Sequence, residues 1–176
     1  AIAAFGGRWW LLVAALSARL APLPYWLAVG GSTLISVVIA AMAGGSMALQ
    51  VRGPGMLLLL ALALLSAAAG LFWPTKPIKA ALANSMRGPV SATIILLSAL
   101  IGDSAPFIIF AAAAHTGSGP LAAAGGMAGM MAAAGAAAMM GATPLPQPLA
   151  QRARMAAGAV FTVIGSVAAL VALGLL

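Results

Sequence analysis

No cysteine occurs in these 176 residues, Asp103 is the sole acidic side chain and His115 the sole histidine. The absence of thiols excludes disulfides, thiolate metal sites and cysteine nucleophiles. Gly30-Gly31-Ser32-Thr33 superficially suggests an intramembrane serine protease, but the one histidine stands at the end of an apolar run and leaves that serine without a base. No enzymatic activity and no cofactor are expected. Charged residues make up only 5% of the chain against 64% hydrophobic, with a mean hydropathy of +1.17. That is too little polar surface to cover a soluble domain. The composition describes an all-α integral membrane protein made almost wholly of spans, with the lipid bilayer as its surroundings. The net charge of +7 does not point to nucleic acid, because the eight basic residues are scattered over short loops.

What is present is long apolar stretches with sparse punctuation. Hydropathy gives six transmembrane helices. The first covers about residues 1–20, ending before the Pro22/Pro24 turn, and the second about 24–43, closed by Gly44-Gly45. The third runs over about 55–73, between Arg52-Gly53-Pro54 and Trp73-Pro74. Residues 74–88 form a cytoplasmic linker with Lys76, Lys79 and Arg87, whose 78–86 portion reads as a short amphipathic helix on the membrane surface. The fourth span, about 89–115, is about 40 Å long as a helix, which calls for tilt or a break at Gly102–Pro106. A Gly117-Ser118-Gly119-Pro120 turn leads to the fifth span, about 120–141. Residues 143–154 read as a proline-rich loop, and the sixth span covers about 155–176.

Basic residues set the orientation. The loops after spans one, three and five hold Arg19, then Lys76, Lys79 and Arg87, then Arg152 and Arg154, against Arg52 and the near-terminal Arg8 on the other side. Those three loops are therefore expected in the cytoplasm and both termini outside. The Ala- and Gly-rich composition suggests a bacterial inner membrane.

An internal repeat follows. A shift of 96 lays Gly6 on Gly102, Pro24 on Pro120, Gly30 on Gly126 and Gly45 on Gly141, with no gap. Two three-helix halves, 1–73 and 89–176, then enter the membrane in opposite senses, the inverted-topology arrangement that places a transport site at mid-membrane between the halves. The same shift implies about eight further residues before Ala1.

Asp103 lies inside the fourth apolar run, in Leu100-Ile101-Gly102-Asp103-Ser104-Ala105-Pro106. An acid at membrane depth costs several kcal/mol unless protonated, paired or facing a polar cavity, so it marks a candidate site. Pro106 has no N–H, which frees the Gly102 carbonyl beside the carboxylate, with the Ser104 hydroxyl next in line. A transporting Asp103 calls for a polar pocket that water can reach. The bland alternative is a structural ion pair, for which Arg8 is the expected partner across the midplane. His115 is about 18 Å along a helix from Asp103 and reads as an interfacial histidine. Met127, Met130 and Met131, with Met139 and Met140 beyond, read as packing, and Gly125-x-x-x-Gly129 as a close helix contact. Trp9, Trp10, Tyr25 and Trp26 read as an interfacial belt.

Two helix-borne motifs in an inverted repeat resemble the GDT-type family of Ca²⁺/Mn²⁺–proton antiporters, within the wider lysine-exporter superfamily. That family's Glu-x-Gly-Asp-Lys/Arg-Ser/Thr signature is matched in part by Leu100-Ile101-Gly102-Asp103-Ser104-Ala105 and by Ala4-Phe5-Gly6-Gly7-Arg8-Trp9, both degenerate. Of the four carboxylates that the resemblance implies, only Asp103 is acidic here; Ala4, Gly7 and Leu100 hold the other places. The resemblance implies transport of Mn²⁺ or Ca²⁺ in exchange for protons. Asp103 would be metal ligand and proton acceptor, Ser104 and the Gly102 carbonyl minor ligands, and Arg8 the basic motif position. Gly6 and Gly7 would be close-packing partners from the other half. Two alternatives stay open: a non-transporting membrane protein of the same fold, perhaps a partner subunit or homo-oligomer, and an exporter of another small solute.

Overall fold

A computed structural model describes residues 8–51, 53–72, 88–101, 103–140 and 147–175, with backbone alone at Arg8, 147–150 and 153. They form seven helices: α1 (Arg8–Ser17), α2 (Pro22–Gln50), α3 (Pro54–Phe72), α4 (Pro89–Leu100), α5 (Ser104–Thr116), α6 (Gly119–Met140) and α7 (Gln147–Ala172). Helices α2, α3, α6 and α7 are each long and apolar enough to cross a membrane, and the α4–α5 pair makes a fifth candidate if it is one span bent by 68°. The ten described residues of α1 are too short to span alone, and residues 1–7 lie outside the described part. The linker expected over 74–88 also lies outside it, except for Gly88.

The local chemistry explains most boundaries. Pro22 and Pro89 start α2 and α4, where a missing N–H costs nothing. Ser91 Oγ accepts from the Gly88 N–H and donates back to the Gly88 carbonyl, closing the first turn of α4. Helix α5 ends at Gly117 in the left-handed region, φ 64°, as the Gly-Ser-Gly-Pro turn predicts.

Two boundaries differ from expectation. Helix α2 does not close at Gly44-Gly45 but runs on to Gln50. These glycines make room for a neighbour: a Cβ on Gly44 would collide with the Phe110 carbonyl oxygen and lie 2.8 Å from Ala113 Cβ, both on α5. A Cβ on Gly45 would lie 3.8 Å from the Gly119 backbone of α6. The expected loop over 143–154 is corrected too, because α7 begins at Gln147 and carries Arg152 and Arg154 inside the helix. Pro148 is compatible with this, since a first-turn proline gives up an N–H that has no intrahelical partner.

Alanine and glycine dominate the contacts, as they do where backbones approach closely in a bilayer. Helices α2 and α6 lie antiparallel: Tyr25 near the start of α2 donates its hydroxyl to the Ala134 carbonyl late in α6, at 3.0 Å, while Gly45 meets Gly119 at the opposite ends. Helices α3 and α7 are antiparallel as well, with Gly158 against the Phe72 ring and Gly165 against Leu65. Helix α1 packs its Trp9, Val13 and Leu16 into a core shared with Val29, Leu96, Ile109 and Ala134.

The exterior is strongly apolar: Leu27, Ile39, Met42 and Leu62 are all exposed, as are Val163 and Leu121. Among the described residues the buried polar side chains are Ser32, Thr33, Asp103 and Ser104. A molecule with apolar groups outside and its one acid inside is built for hydrocarbon rather than water. This is a helical multi-pass membrane protein.

The aromatic belt needs correction. Trp9 and Trp10 are core residues at 0% and 5% exposure, and Tyr25 is buried at 3%. Only Trp26 of the four is exposed, and it meets the Tyr25 ring edge-on at 5.0 Å. The small side chains around α1 leave space that the indoles fill.

Candidate functional site

Helix α4 ends at Leu100 and α5 begins at Ser104; of the residues between them, Gly102 lies outside the described residues. Asp103 is extended, φ −96° and ψ 154°, and stands as the N-cap of α5. Its Oδ1 accepts the Ser104 N–H at 2.7 Å, with the Ser104 hydroxyl at 3.4 Å, and its own N–H donates to the Leu100 carbonyl at 3.1 Å. One end of the carboxylate is thus spent on an orphan donor at the positive end of a helix, a favourable place for an anion. Its other oxygen, Oδ2, is buried and accepts no hydrogen bond. Pro106 lies in the first turn of α5, so it begins the second half-helix instead of kinking a continuous one.

The opposite charge comes from α7. Arg154 Nη2 donates to the Gly70 carbonyl at 3.3 Å, in the last turn of α3, where helix carbonyls lack intrahelical partners and the dipole is negative. Gly70 adjoins the site directly: a Cβ there would lie 4.0 Å from Ser104 Cβ. Arg154 and Asp103 attract each other electrostatically across this contact. The negative end of α3 and the positive end of α5 therefore adjoin, the first met by the Arg154 guanidinium and the second by the Asp103 carboxylate.

Arg154 was expected in a cytoplasmic loop, so sequence reasoning missed it. The available signal was the spacing Arg154, Gly158, Gly165, which puts a basic group and two small residues on one helical face. Of the expected site residues, Asp103, Ser104 and Pro106 do come together. Gly6, Gly7, Gly102 and the Arg8 side chain, with the anticipated Arg8–Asp103 pair, lie outside the described residues.

The surroundings of the break are apolar. A half-open groove of about 480 Å³ runs beside it, lined by Leu97, Leu100, Pro106 and Phe107, with Ser36 and Ser66 as its only hydroxyls. Asp103 does not line this groove, so the expected polar pocket is not what flanks the break on that side. Among the described residues no three acidic, histidine or cysteine side chains cluster as a metal site. The remaining candidates keep ordinary roles. His115 is exposed at the end of α5, Met130 is buried in the core, and Met139 is on the surface. Ser32 Oγ donates to the Val29 carbonyl of its own helix.

No family model, curated protein or solved structure matches this chain.

Proposed function

We propose that this protein is a six-span transporter of the bacterial inner membrane that exchanges a divalent metal cation, Mn²⁺ or Ca²⁺, for protons, as its resemblance to the GDT-type antiporters suggests. The observation that carries the reading is the buried Asp103 carboxylate at a break between two half-helices, with Oδ2 open to a proton or a cation. The cation would be held by Asp103, the Ser104 hydroxyl and nearby carbonyls, keeping much of its water.

The helix register supports an inverted repeat. The 96-residue shift carries α1 onto 104–113 within α5, α2 onto 118–146 over α6, and α3 onto 150–168 within α7. Two of the matched pairs, α2 with α6 and α3 with α7, lie antiparallel, as inversion requires. In this reading both termini face outward, as the distribution of basic residues suggests. A cysteine introduced at Ser85 should react only with reagents that reach the cytoplasm, and labelling from outside would reverse the orientation.

Purified protein in proteoliposomes tests the activity. Wild type should move Mn²⁺ or Ca²⁺ when an imposed proton gradient drives protons the opposite way, and a stable Asp103→Asn variant should not. The nearness of Arg154 favours a second reading, in which Asp103 is a structural counter-charge in a chain that does not transport. Absence of wild-type flux for both ions, with Asp103→Leu plus Arg154→Leu as stable as wild type, would establish that reading instead.

A further inference from the structure

Helices α2 and α3 follow one another in the chain yet hardly touch; both pack on α5 instead. The groove of about 480 Å³ lies between them, with residues from the end of α4 and from α5 completing its lining. That volume falls in the range of about 300–1,000 Å³ typical of small-molecule sites, which are mostly apolar with a few placed polar groups. Ile39 of α2, Leu62 of α3 and the Phe107 and Phe110 rings of α5 give the apolar wall, and Ser36 of α2 and Ser66 of α3 give the hydroxyls. Ile39, Leu62 and Ile101 are exposed at its rim, so the groove opens on the hydrocarbon.

The two hydroxyls differ from most others in these helices. A helical serine or threonine commonly donates to a carbonyl one turn back, which satisfies it where no water competes. Ser46, Ser98 and Thr162 do so at 2.7–2.8 Å. Ser36 and Ser66 are half-buried and have no hydrogen-bond partner among the described residues. Thr33 and Ser166 share this lack, but neither lines the groove. A hydroxyl has one hydrogen to place, so each of the two calls for an acceptor. The occupant is then apolar in bulk and offers two acceptor oxygens, one toward each wall. Depth narrows the class. Ser36 is the central residue of α2, whereas the ester oxygens of bilayer lipids lie at the edge of the hydrocarbon, about 15 Å from its middle.

We infer that the groove is a binding site for a lipid-soluble quinone. Such a molecule is a flat apolar ring with carbonyl oxygens at opposite ends, which accept from Ser36 and Ser66. The ring packs against the phenylalanines of α5, and an alkyl tail stays in the bilayer through the open side. Asp103 is not part of the lining, so the inference does not rest on the transporter reading.

The purified full chain in detergent is titrated with decylubiquinone, an alkylated para-benzoquinone. Native mass spectrometry reads the bound fraction, and thermal unfolding checks each variant. Wild type should bind one molecule. Ser36→Ala and Ser66→Ala should each bind about fivefold more weakly, the worth of one ordinary hydrogen bond. Without quinone both should melt no lower than wild type, because these hydroxyls hold nothing within the protein. Ala43→Phe fills the groove from an exposed position and should abolish binding, while Asp103→Asn should bind as wild type does. Failure of wild type to bind would overturn the inference, as would equal binding by a folded Ser36→Ala/Ser66→Ala double variant. Decylbenzene bound as tightly as the quinone would overturn it in favour of a groove for any alkyl chain. Displacement of the quinone by dioleoylglycerol at equal concentration would overturn it in favour of a lipid ester.

Discussion

Three glycines face three kinds of neighbour, and alanine at each should separate them. A Cβ on Gly44 meets backbone, the Phe110 carbonyl oxygen, and lies 2.8 Å from Ala113 Cβ and 3.1 Å from Ala114 N. Nothing on that surface can rotate away, so α2 and α5 must move apart. Overpacking of this kind costs typically about 1–3 kcal/mol, and an immovable backbone argues for the upper end. Alanine recovers about 1 kcal/mol of helix propensity over glycine, leaving a net loss of about 2 kcal/mol. Gly126 also lacks room, but there the Cβ would meet Ile109 Cδ1 at 2.7 Å and Cγ1 at 2.8 Å. A side chain can turn part-way off its rotamer at a cost of about 0.5–1.5 kcal/mol, which the propensity gain roughly cancels. Gly125 has nothing within 4 Å, so its alanine variant should be neutral or more stable by up to about 1 kcal/mol. Thermal unfolding in detergent, followed by tryptophan fluorescence, should rank the variants Gly125→Ala, Gly126→Ala, Gly44→Ala from most to least stable. A Gly44→Ala protein as stable as Gly125→Ala would refute the close approach of α2 to α5.

Other positions give narrower tests. Asp103→Asn should fold like wild type, because asparagine caps a helix as well as aspartate, whereas Asp103→Ala should lose about 1 kcal/mol in the same melt; equal stability of the two would remove the cap from α5. Tyr25→Phe keeps the ring beside Trp26 but drops the hydroxyl that reaches the Ala134 carbonyl. It should cost about 1 kcal/mol, and a fully stable variant would mean that the hydrogen bond does not join α2 to α6. Gly117→Ala places a side chain at φ 64° and should cost about 1–2 kcal/mol; no loss would argue against the left-handed end of α5.

Much of the architecture was legible because hydrocarbon imposes a simple rule on composition. The third and fifth spans agree with α3 and α6 to within one or two residues, since Gly53-Pro54 and Gly119-Pro120 punctuate the chain unambiguously. The break around Asp103 was legible for a similar reason, as a polar residue flanked by glycine and proline has few other uses there. Glycines inside a span are different. Gly44-Gly45 reads equally well as a helix end or a contact face, and only α5 and α6, more than 60 residues onward, decide between them. Nor could a local pattern join Asp103 to Arg154. Their meeting depends on α7 lying along α3 and α3 ending against α5, two facts of packing that no window of sequence contains. The buried indoles Trp9 and Trp10 belong with these: tryptophan suits an interface, and a core of alanine and glycine can equally need its volume.

The seating of Arg154 on the Gly70 carbonyl, where α3 adjoins the start of α5 and its Asp103 cap, also has an electrical consequence. One formal charge crossing a full membrane potential of 100 mV changes energy by about 2.3 kcal/mol, enough to bias a conformational equilibrium strongly. Here an ionised Asp103 and Arg154 sum to zero, and both belong to the junction where the end of α3 adjoins the start of α5. With the site empty, helices carrying them could rock together through the bilayer while voltage does almost no work on them. If the protein is the transporter proposed above, its voltage dependence would then have to come from whatever ion reaches Oδ2 and not from these two charges.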